Sequence, residues 1–278
     1  MASSYDAKYL VFLHSIRERE LRAVLHVIDQ RYLGYVLELG CGDGFLSMRL
    51  KPHCKFLVSA DYRTDALGPR QQLNLNFLSC DVEHLPLRTC SFDMIFSSNL
   101  LEHVEDIDRA LSEMYTAVKK GGIMVHAVPN VTWKVLQLVL YYPFVVYLKV
   151  SSIRDKRRHT TDNSEQIQTN MIRFKSNVKR QEGSQSVLRR IARKLKPSPH
   201  GISRSHLEEM YRFSNWYWER VFRRNGWNVV HRIRMPFYSP YGFGLNRMRR
   251  LCELLRLSSS TCYVLGQGTS SCAESHRR

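Results

Sequence analysis

Short apolar runs alternate with helical periodicities through the first half of the chain. The apolar runs lie at 36–39, 55–60, 77–82, 91–99 and 123–129. Apolar residues recur at three- and four-residue spacing in the segments before and between them, at 6–31, 45–50 and 106–118. Because strands that alternate with helices are typical of crossover connections, this pattern predicts an α/β fold with a parallel sheet.

The second half predicts the end of the same sheet. The capping box that starts at Ser205 opens a helix expected to run over 207–222 and to close at Gly226. The segments 227–234 and 261–265 follow as two strands able to pair antiparallel. We therefore predict a doubly wound, seven-stranded, mostly parallel sheet, with a helical, basic insertion after the fifth strand. The predicted parts are a core over 1–130 and 203–265, an insertion over 131–202 and a flexible tail over 266–278.

The insertion carries an apolar and aromatic run, Val135 to Leu148, interrupted by Gln137 and Pro143. It falls short of the ~20 residues that a spanning helix requires, and Pro143 is expected to kink it. Two interpretations stay open: a helical lid over a pocket, or a segment at a membrane interface. A short basic amphipathic helix is predicted over 187–196.

Charge divides the chain into two unlike halves. The formal net charge is +17, yet residues 1–130 contribute −2 and residues 131–278 contribute +19. An anionic partner is therefore expected at the second half, and an anionic membrane surface reached through 131–200 is favoured over nucleic acid. The oligomeric state is not predicted.

The cysteines and the N-terminus indicate a compartment. The seven cysteines include no Cys-x-x-Cys pair, so neither a disulfide framework nor a metal site is expected. Residues 1–13 contain no continuous apolar run and do not resemble a secretory signal. A cytoplasmic location, peripheral to a membrane, is the expectation.

Alternating glycines follow the first predicted strand. Gly40, Gly42 and Gly44 separate Glu38 from a helix that starts at Phe45. Glycines permit positive φ and let a ligand approach the backbone, while the helix directs free N–H groups at the loop. A carboxylate beside such a loop would repel a pyrophosphate and attract an ammonium or sulfonium group, so the loop favours a cation-bearing nucleoside.

This motif, an acidic residue followed by Gly-x-Gly-x-Gly, resembles the first motif of class I S-adenosylmethionine-dependent methyltransferases. The phrase from Phe92-Asp93 to Leu101-Glu102-His103-Val104 is similar to the fourth motif of their small-molecule branch, often called type 11. The resemblance implies S-adenosyl-L-methionine as cofactor and an enzyme that needs no metal.

The resemblance also implies which residues contact the cofactor. Asp61 is placed to bind the ribose hydroxyls, Asp81 to accept from the adenine amino group, and the Val82 N–H to reach a ring nitrogen. The full expected set is Glu38, Gly40, Cys41, Gly42, Gly44, Asp61, Tyr62, Asp81, Val82, Ser98 and Asn99.

The acceptor and the catalytic base are less constrained. His103, His200 and His206 are candidate bases because imidazole can take a proton near neutral pH. Each has an alternative role, in packing, in a turn or in a helix cap. The chain has Ser97-Ser98-Asn99-Leu100 where base-methylating relatives carry Asn/Asp-Pro-Pro-aromatic. We therefore expect a hydrophobic, lipid-linked or glycan-type small-molecule acceptor. The alternatives are an RNA or protein methyltransferase that uses the basic half and a non-catalytic cofactor-binding protein.

Overall fold

The computed structural model describes residues 4–28, 33–63, 75–159, 202–242 and 249–268. Two compact units divide the chain. One comprises 1–136 and 199–278, and the other comprises 137–198. In the second unit the described residues are helical.

The first unit contains a seven-stranded mixed sheet, which confirms the predicted fold class. Its strands are β1 Leu33–Leu39, β2 Cys54–Asp61, β3 Asn76–Ser79, β4 Phe92–Ser98, β5 Val118–Pro129, β6 Trp227–Arg234 and β7 Ser260–Gln267. The order across the sheet is β3-β2-β1-β4-β5-β7-β6, and β7 runs antiparallel to both of its neighbours. Strand β7 ends at Gln267, two residues beyond position 265, where the core was expected to end.

The register brings the ends of the central strands together. Leu39 of β1 is opposite Ala60 of β2 on one side and Ser97 of β4 on the other. The loops that follow these parallel strands therefore meet at one edge of the sheet, which is where open α/β sheets bind ligands.

Helices of the first unit cover both faces of this sheet, and one further helix runs along the chain from the first unit into the second. They are α1 Ser4–Val27, α2 Phe45–Leu50, α3 Ile107–Ala117, α4 Val131–His159, α5 His206–Arg212, α6 Asn215–Arg224 and α7 Arg249–Leu254. Short 3-10 turns occupy 51–53 and 101–103. Leu37 and Leu39 pack in the core with α3 and α6, while Val36, which precedes them, packs in a second cluster with α1 and α2. This alternation is expected of a strand buried on both faces.

Two element boundaries differ from the sequence prediction. The helix predicted over 106–118 ends at Ala117, and β5 begins at Val118, which pairs with Phe92. The glycine Gly121, expected to end the helix, has a φ of 77° within β5, near a register shift between Phe92 and Met94. Strand pairing therefore overrides the helical periodicity at this point.

The helix predicted over 207–222 is also wrong as a single element. Ser205 caps α5 as predicted, because its hydroxyl accepts from the Glu208 N–H. A second cap follows at Ser214, whose hydroxyl accepts from the Tyr217 N–H and starts α6. The chain therefore forms two short helices instead of one.

The helix after β5 is longer than the apolar run predicted. α4 spans Val131–His159 and continues past Pro143. Within the part of the chain that the structure describes, no helix has the length and apolar character needed to cross a bilayer. The basic helix predicted over 187–196 lies outside the described residues.

Candidate functional site

The glycine loop connects β1 to α2 at the ligand-binding edge of the sheet. Gly40, Gly42 and Gly44 have φ values of 74°, 54° and 80°. The N–H groups of Gly40 and Cys41 donate to the carbonyl oxygen of Ala60 at 2.8 and 3.1 Å, so the loop is fixed to the end of β2. All three glycines use backbone conformations that side chains disfavour, as the sequence indicated.

Glu38 lies behind this loop. Its side chain is buried, and one carboxylate oxygen accepts from Ser47 Oγ at 2.5 Å and from Ser59 Oγ at 3.2 Å. Burial raises the pKa of Glu38 to about 7, although the two hydroxyl donors oppose this shift. The carboxylate therefore links β1 to α2 and β2, a positioning role in place of the direct attraction of a cation that the sequence suggested.

Two carboxylates follow neighbouring strands. Asp61 ends β2, where its oxygens accept from the N–H groups of Gly42 at 2.7 Å and Arg63 at 2.9 Å. Asp81 follows β3, and its Oδ1 accepts from the Glu83 N–H at 2.9 Å. Each carboxylate oxygen has two lone pairs, so both groups retain capacity to accept from a ligand hydroxyl or amino group.

A cavity of about 470 Å³ lies between these groups. Its wall combines the two carboxylates with apolar side chains and the exposed ring of Tyr62. The lining residues are Leu39, Gly40, Ala60, Asp61, Tyr62, Cys80, Asp81, Val82, Glu83, Leu100, His103, Val104 and Glu105. Five of the eleven predicted cofactor residues are among them: Gly40, Asp61, Tyr62, Asp81 and Val82.

The other predicted cofactor residues surround the cavity without lining it. Besides Glu38, these are Cys41, Gly42, Gly44, Ser98 and Asn99. Gly42 contacts the wall through its hydrogen bond to Asp61, and Gly44 caps α2. Asn99 has a φ of 53°. With its amide oxygen and nitrogen exchanged, the orientation that its neighbours favour, the oxygen accepts from the guanidinium of Arg17.

Helix α1 reaches the glycine loop from the N-terminal side. His14 Nε2 lies 2.7 Å from Asp43 Oδ2, and its ring stacks on Phe45 with centroids 3.8 Å apart. Helix α1 therefore contacts the loop directly, both at Asp43 and at Phe45, where α2 begins.

The three candidate bases lie in different places. His103 lines the cavity, and burial lowers its pKa, so the neutral imidazole is favoured at neutral pH. His206 begins α5, with Nδ1 3.9 Å from Glu209 Oε2, and is not part of the cavity wall. His200 lies outside the described residues. The structure thus brings one of the three, His103, to the cavity.

A buried polar cluster at the same edge was missed from the sequence. Glu102 is 7% exposed, and Arg17 Nη1 donates to Glu20 Oε2 at 2.7 Å. The only sequence signal was the position of Glu102 inside the apolar phrase of residues 100–104. This position alone does not predict a buried charge, because the burial of Glu102 depends on how α1 packs.

The cavity fits an adenosine-type cofactor. A Cβ added at Gly40 would lie 3.1 Å from Leu100, whereas one at Gly42 would meet no atom within 4 Å. Gly42 therefore faces open space, as a loop that lies against a ligand requires. Carboxylates at the ends of β2 and β3 with an apolar wall match the hydroxyls, amino group and ring faces of a nucleoside.

Part of the chain is similar to known proteins. Residues 37–126 match the family model described as a methyltransferase domain. A malonyl-[acyl-carrier protein] O-methyltransferase of Yersinia pestis is 32% identical over 126 residues, 44% of this chain and 45% of that protein. A ubiquinone biosynthesis O-methyltransferase of Coxiella burnetii is 32% identical over 106 residues, 36% of this chain and 45% of that protein. The chain thus spans about half the length of the curated relatives that it matches.

Solved structures share the fold. A chain from the complex between the Haloferax volcanii Trm112 methyltransferase activator and a methyltransferase aligns with a TM-score of 0.54 at 15% identity. That alignment covers 96% of this chain and 99% of the other. An S-adenosylmethionine-dependent methyltransferase of Thermotoga maritima aligns with a TM-score of 0.52 at 17% identity, covering 94% and 95%. At these identities the likeness concerns the fold.

Proposed function

We propose that this chain, which contains a class I S-adenosylmethionine-dependent methyltransferase domain, transfers the methyl group of S-adenosyl-L-methionine to a small-molecule acceptor. One observation carries the proposal: the cavity beside the glycine loop, with Asp61 and Asp81 at the ends of adjacent strands. The two O-methyltransferase relatives support the small-molecule class.

The residues around the cavity would each contribute to binding. Asp61 would accept from the ribose hydroxyls, and Asp81 with the Val82 N–H would hold the adenine edge. The glycine loop would admit the rest of the cofactor because no Cβ intervenes at Gly42. The bound cofactor supplies an activated methyl group, so the protein has mainly to align the acceptor, exclude water and take up a proton where the acceptor carries one.

For the acceptor we favour a hydrophobic, lipid-linked or glycan-type molecule. The apolar and aromatic run of 135–148 and the basic second half support an acceptor presented at an anionic membrane surface, with the protein peripheral to it. The basic half equally suits a second candidate, an RNA or protein methyltransferase. Salt distinguishes the two, because nucleic-acid binding weakens steeply with salt and insertion of an apolar segment persists.

Calorimetric titration with S-adenosylhomocysteine tests the cofactor site. We expect binding to the wild type, and we expect Asp61→Ala to weaken it by roughly 1–3 kcal/mol through lost charge-assisted hydrogen bonds. Unchanged affinity in Asp61→Ala would contradict the assignment of the ribose site. Absence of binding to the wild type would contradict the proposed cofactor site, and binding without methyl transfer to any acceptor would favour the non-catalytic alternative.

A matched pair of glycine variants separates ligand contact from backbone strain. Gly42 and Gly121 both have positive φ, and an added Cβ meets no atom within 4 Å at either position. Gly121 lies in β5, away from the cavity wall. Gly42→Val and Gly121→Val should therefore lose comparable stability, whereas only Gly42→Val should lose S-adenosylhomocysteine binding. Equal affinities in the two variants would remove the loop from the binding site.

A further inference from the structure

Glu102 is a buried acid at the ligand-binding edge of the sheet. It lies in the 3-10 turn 101–103 that follows β4 and is 7% exposed. Among the described residues, its carboxyl oxygens receive no hydrogen bond from another residue, and its own backbone N–H is the one donor that acts on them. A buried polar group left in this state is unfavourable, so it marks a place where a ligand atom can supply the missing hydrogen bond.

The charged groups around Glu102 provide more carboxyl groups than cations. Arg17 and Glu20 of α1 form an ion pair, and Ser260 Oγ donates to Glu20 at 2.5 Å. Burial raises the pKa of Glu102 to about 8, against lowering effects from its own backbone N–H and from Arg17 and with a further raising effect from Glu20. Tyr238 is buried in the same cluster, and its pKa is raised by burial and by Glu20. The guanidinium is thus already matched by one carboxylate, and Glu102 is the second.

Glu102 lies in the chain beside two residues of the cofactor cavity. Its neighbours His103 and Val104 line that cavity. Glu102 itself lines a second cavity of about 10 Å³, whose wall also includes Val104 and Arg212. That volume holds about one water-sized group, which means a single oxygen or nitrogen atom. The two cavities share Val104, so an atom in the smaller one would lie close to the cofactor site.

We propose that Glu102 binds the nucleophilic O–H or N–H of the methyl acceptor and receives its proton. In the transfer, the acceptor oxygen or nitrogen forms a bond to the methyl carbon, the carbon–sulfur bond breaks, and its electron pair stays on sulfur. The acceptor proton passes to the Glu102 carboxylate. The inference rests on the proposed function and narrows its acceptor to a molecule whose nucleophile carries a hydrogen.

This assignment excludes one class of acceptor. A carboxylate has no proton to lose, and its charge would face Glu20 and Glu102 together. A hydroxyl or an amine donates a hydrogen bond to Glu102 and has a proton that must leave. A carboxyl group whose pKa lies near the working pH suits this exchange.

Three small probes test the proposal on the protein loaded with S-adenosylhomocysteine: phenol, ethylamine and acetate. Selective ¹³C labelling of glutamate carboxyl groups, with assignment by Glu102→Gln, follows Glu102 directly by NMR. We expect phenol or ethylamine to shift the Glu102 resonance and its titration midpoint, and acetate to leave both unchanged. The charged and titratable groups near Glu102 are Arg17, Glu20, Tyr238 and Arg212, and none of them is altered in the experiment.

Binding to the variants completes the test. Glu102→Gln should bind the effective probe roughly tenfold more weakly than wild type, because a charge-assisted hydrogen bond is lost. Glu219→Gln, on the exposed face of α6, should bind it as wild type does. S-adenosylhomocysteine affinity should be the same in all three proteins.

Each contrary result has a distinct meaning. Loss of S-adenosylhomocysteine binding in the wild type would contradict the proposed function. With that binding intact, an unshifted Glu102 resonance, undiminished probe binding in Glu102→Gln, or acetate binding as strong as that of the other probes would overturn the role of Glu102. If Glu102→Gln does not fold, Glu102→Asp supplies the assignment, because it also removes the labelled glutamate, and the resonance of the wild type then decides the matter.

Discussion

Glu38 illustrates how a single residue of the first motif can act from behind the site. It is 2% exposed and bonded to Ser47 and Ser59, so it holds the glycine loop against α2 and β2. The sequence could predict that an acid belongs at this position. It could not predict that the carboxylate turns inward, because that depends on two serines contributed by other elements.

The raised pKa of Glu38 gives a stability prediction at the same scale. Its ordinary value is 4.5 and its value in the fold is about 7, so the native state holds the proton more tightly. The resulting stabilisation is full below the ordinary pKa and disappears as pH rises to about 7. Between pH 5 and pH 8, the free energy of unfolding of the wild type, measured with urea, should fall by roughly 2–3 kcal/mol more than that of Glu38→Gln.

The comparison isolates Glu38 from Glu102, a second buried acid whose pKa is raised. Glu102 has a pKa raised in the same direction, to about 8, and is present in both proteins. Its contribution therefore cancels in the difference between wild type and Glu38→Gln. Parallel pH profiles for the two proteins would show that Glu38 titrates in the fold as it does in the unfolded chain.

Two elements that border the insertion are joined by a buried ion pair. Lys134, in the first turn of α4, places Nζ 2.5 Å from Glu209 Oε2 on α5, and both side chains are fully buried. Lys134→Met should lower the free energy of unfolding by about 3–5 kcal/mol, since it leaves a buried carboxylate without its partner. The double variant Lys134→Met/Glu209→Leu should recover most of this loss in urea denaturation.

An exposed ion pair provides the control for this element-scale prediction. Arg232 and Glu219 lie 2.9 Å apart with side chains 49% and 34% exposed. Glu219→Gln should change stability by less than about 1 kcal/mol because solvent screens the pair. A comparable small effect for Lys134→Met would mean that water reaches Glu209.

Elements were predictable where hydrophobic periodicity and helix caps agreed. They were missed where a contact with residues distant in sequence sets the boundary of the element. The helix over 45–50 and the cap at Ser205 follow from local sequence. The start of β5 at Val118 depends on Phe92, and the break before α6 depends on a second serine cap. The cluster around Glu102 assembles from α1, the turn after β4 and β7, so no local pattern contains it.

At the scale of the whole molecule, the proposed cofactor site belongs to one unit. All seven strands and every residue of the large cavity lie within 1–136 and 199–278. The chain leaves this unit just after Lys134 and is described again from residue 202, close in sequence to Glu209. Because Lys134 and Glu209 are in contact, a short linker can join the two ends.

Replacing residues 137–198 by a short Gly-Ser linker should therefore leave cofactor binding intact. S-adenosylhomocysteine should bind the linker protein as it binds the full chain, and Asp61→Ala should weaken this binding equally in both proteins.

Vesicle sedimentation tests the membrane contact with the same two proteins. If the insertion provides that contact, only the full chain should sediment with phosphatidylglycerol vesicles, and high salt should leave part of that association because apolar contacts are not screened. Sedimentation abolished by salt would favour a purely electrostatic partner, and sedimentation of the linker protein would assign the contact to the core. A linker protein that fails to fold would show that residues 137–198 are needed to complete the core, which would contradict their status as a separate unit.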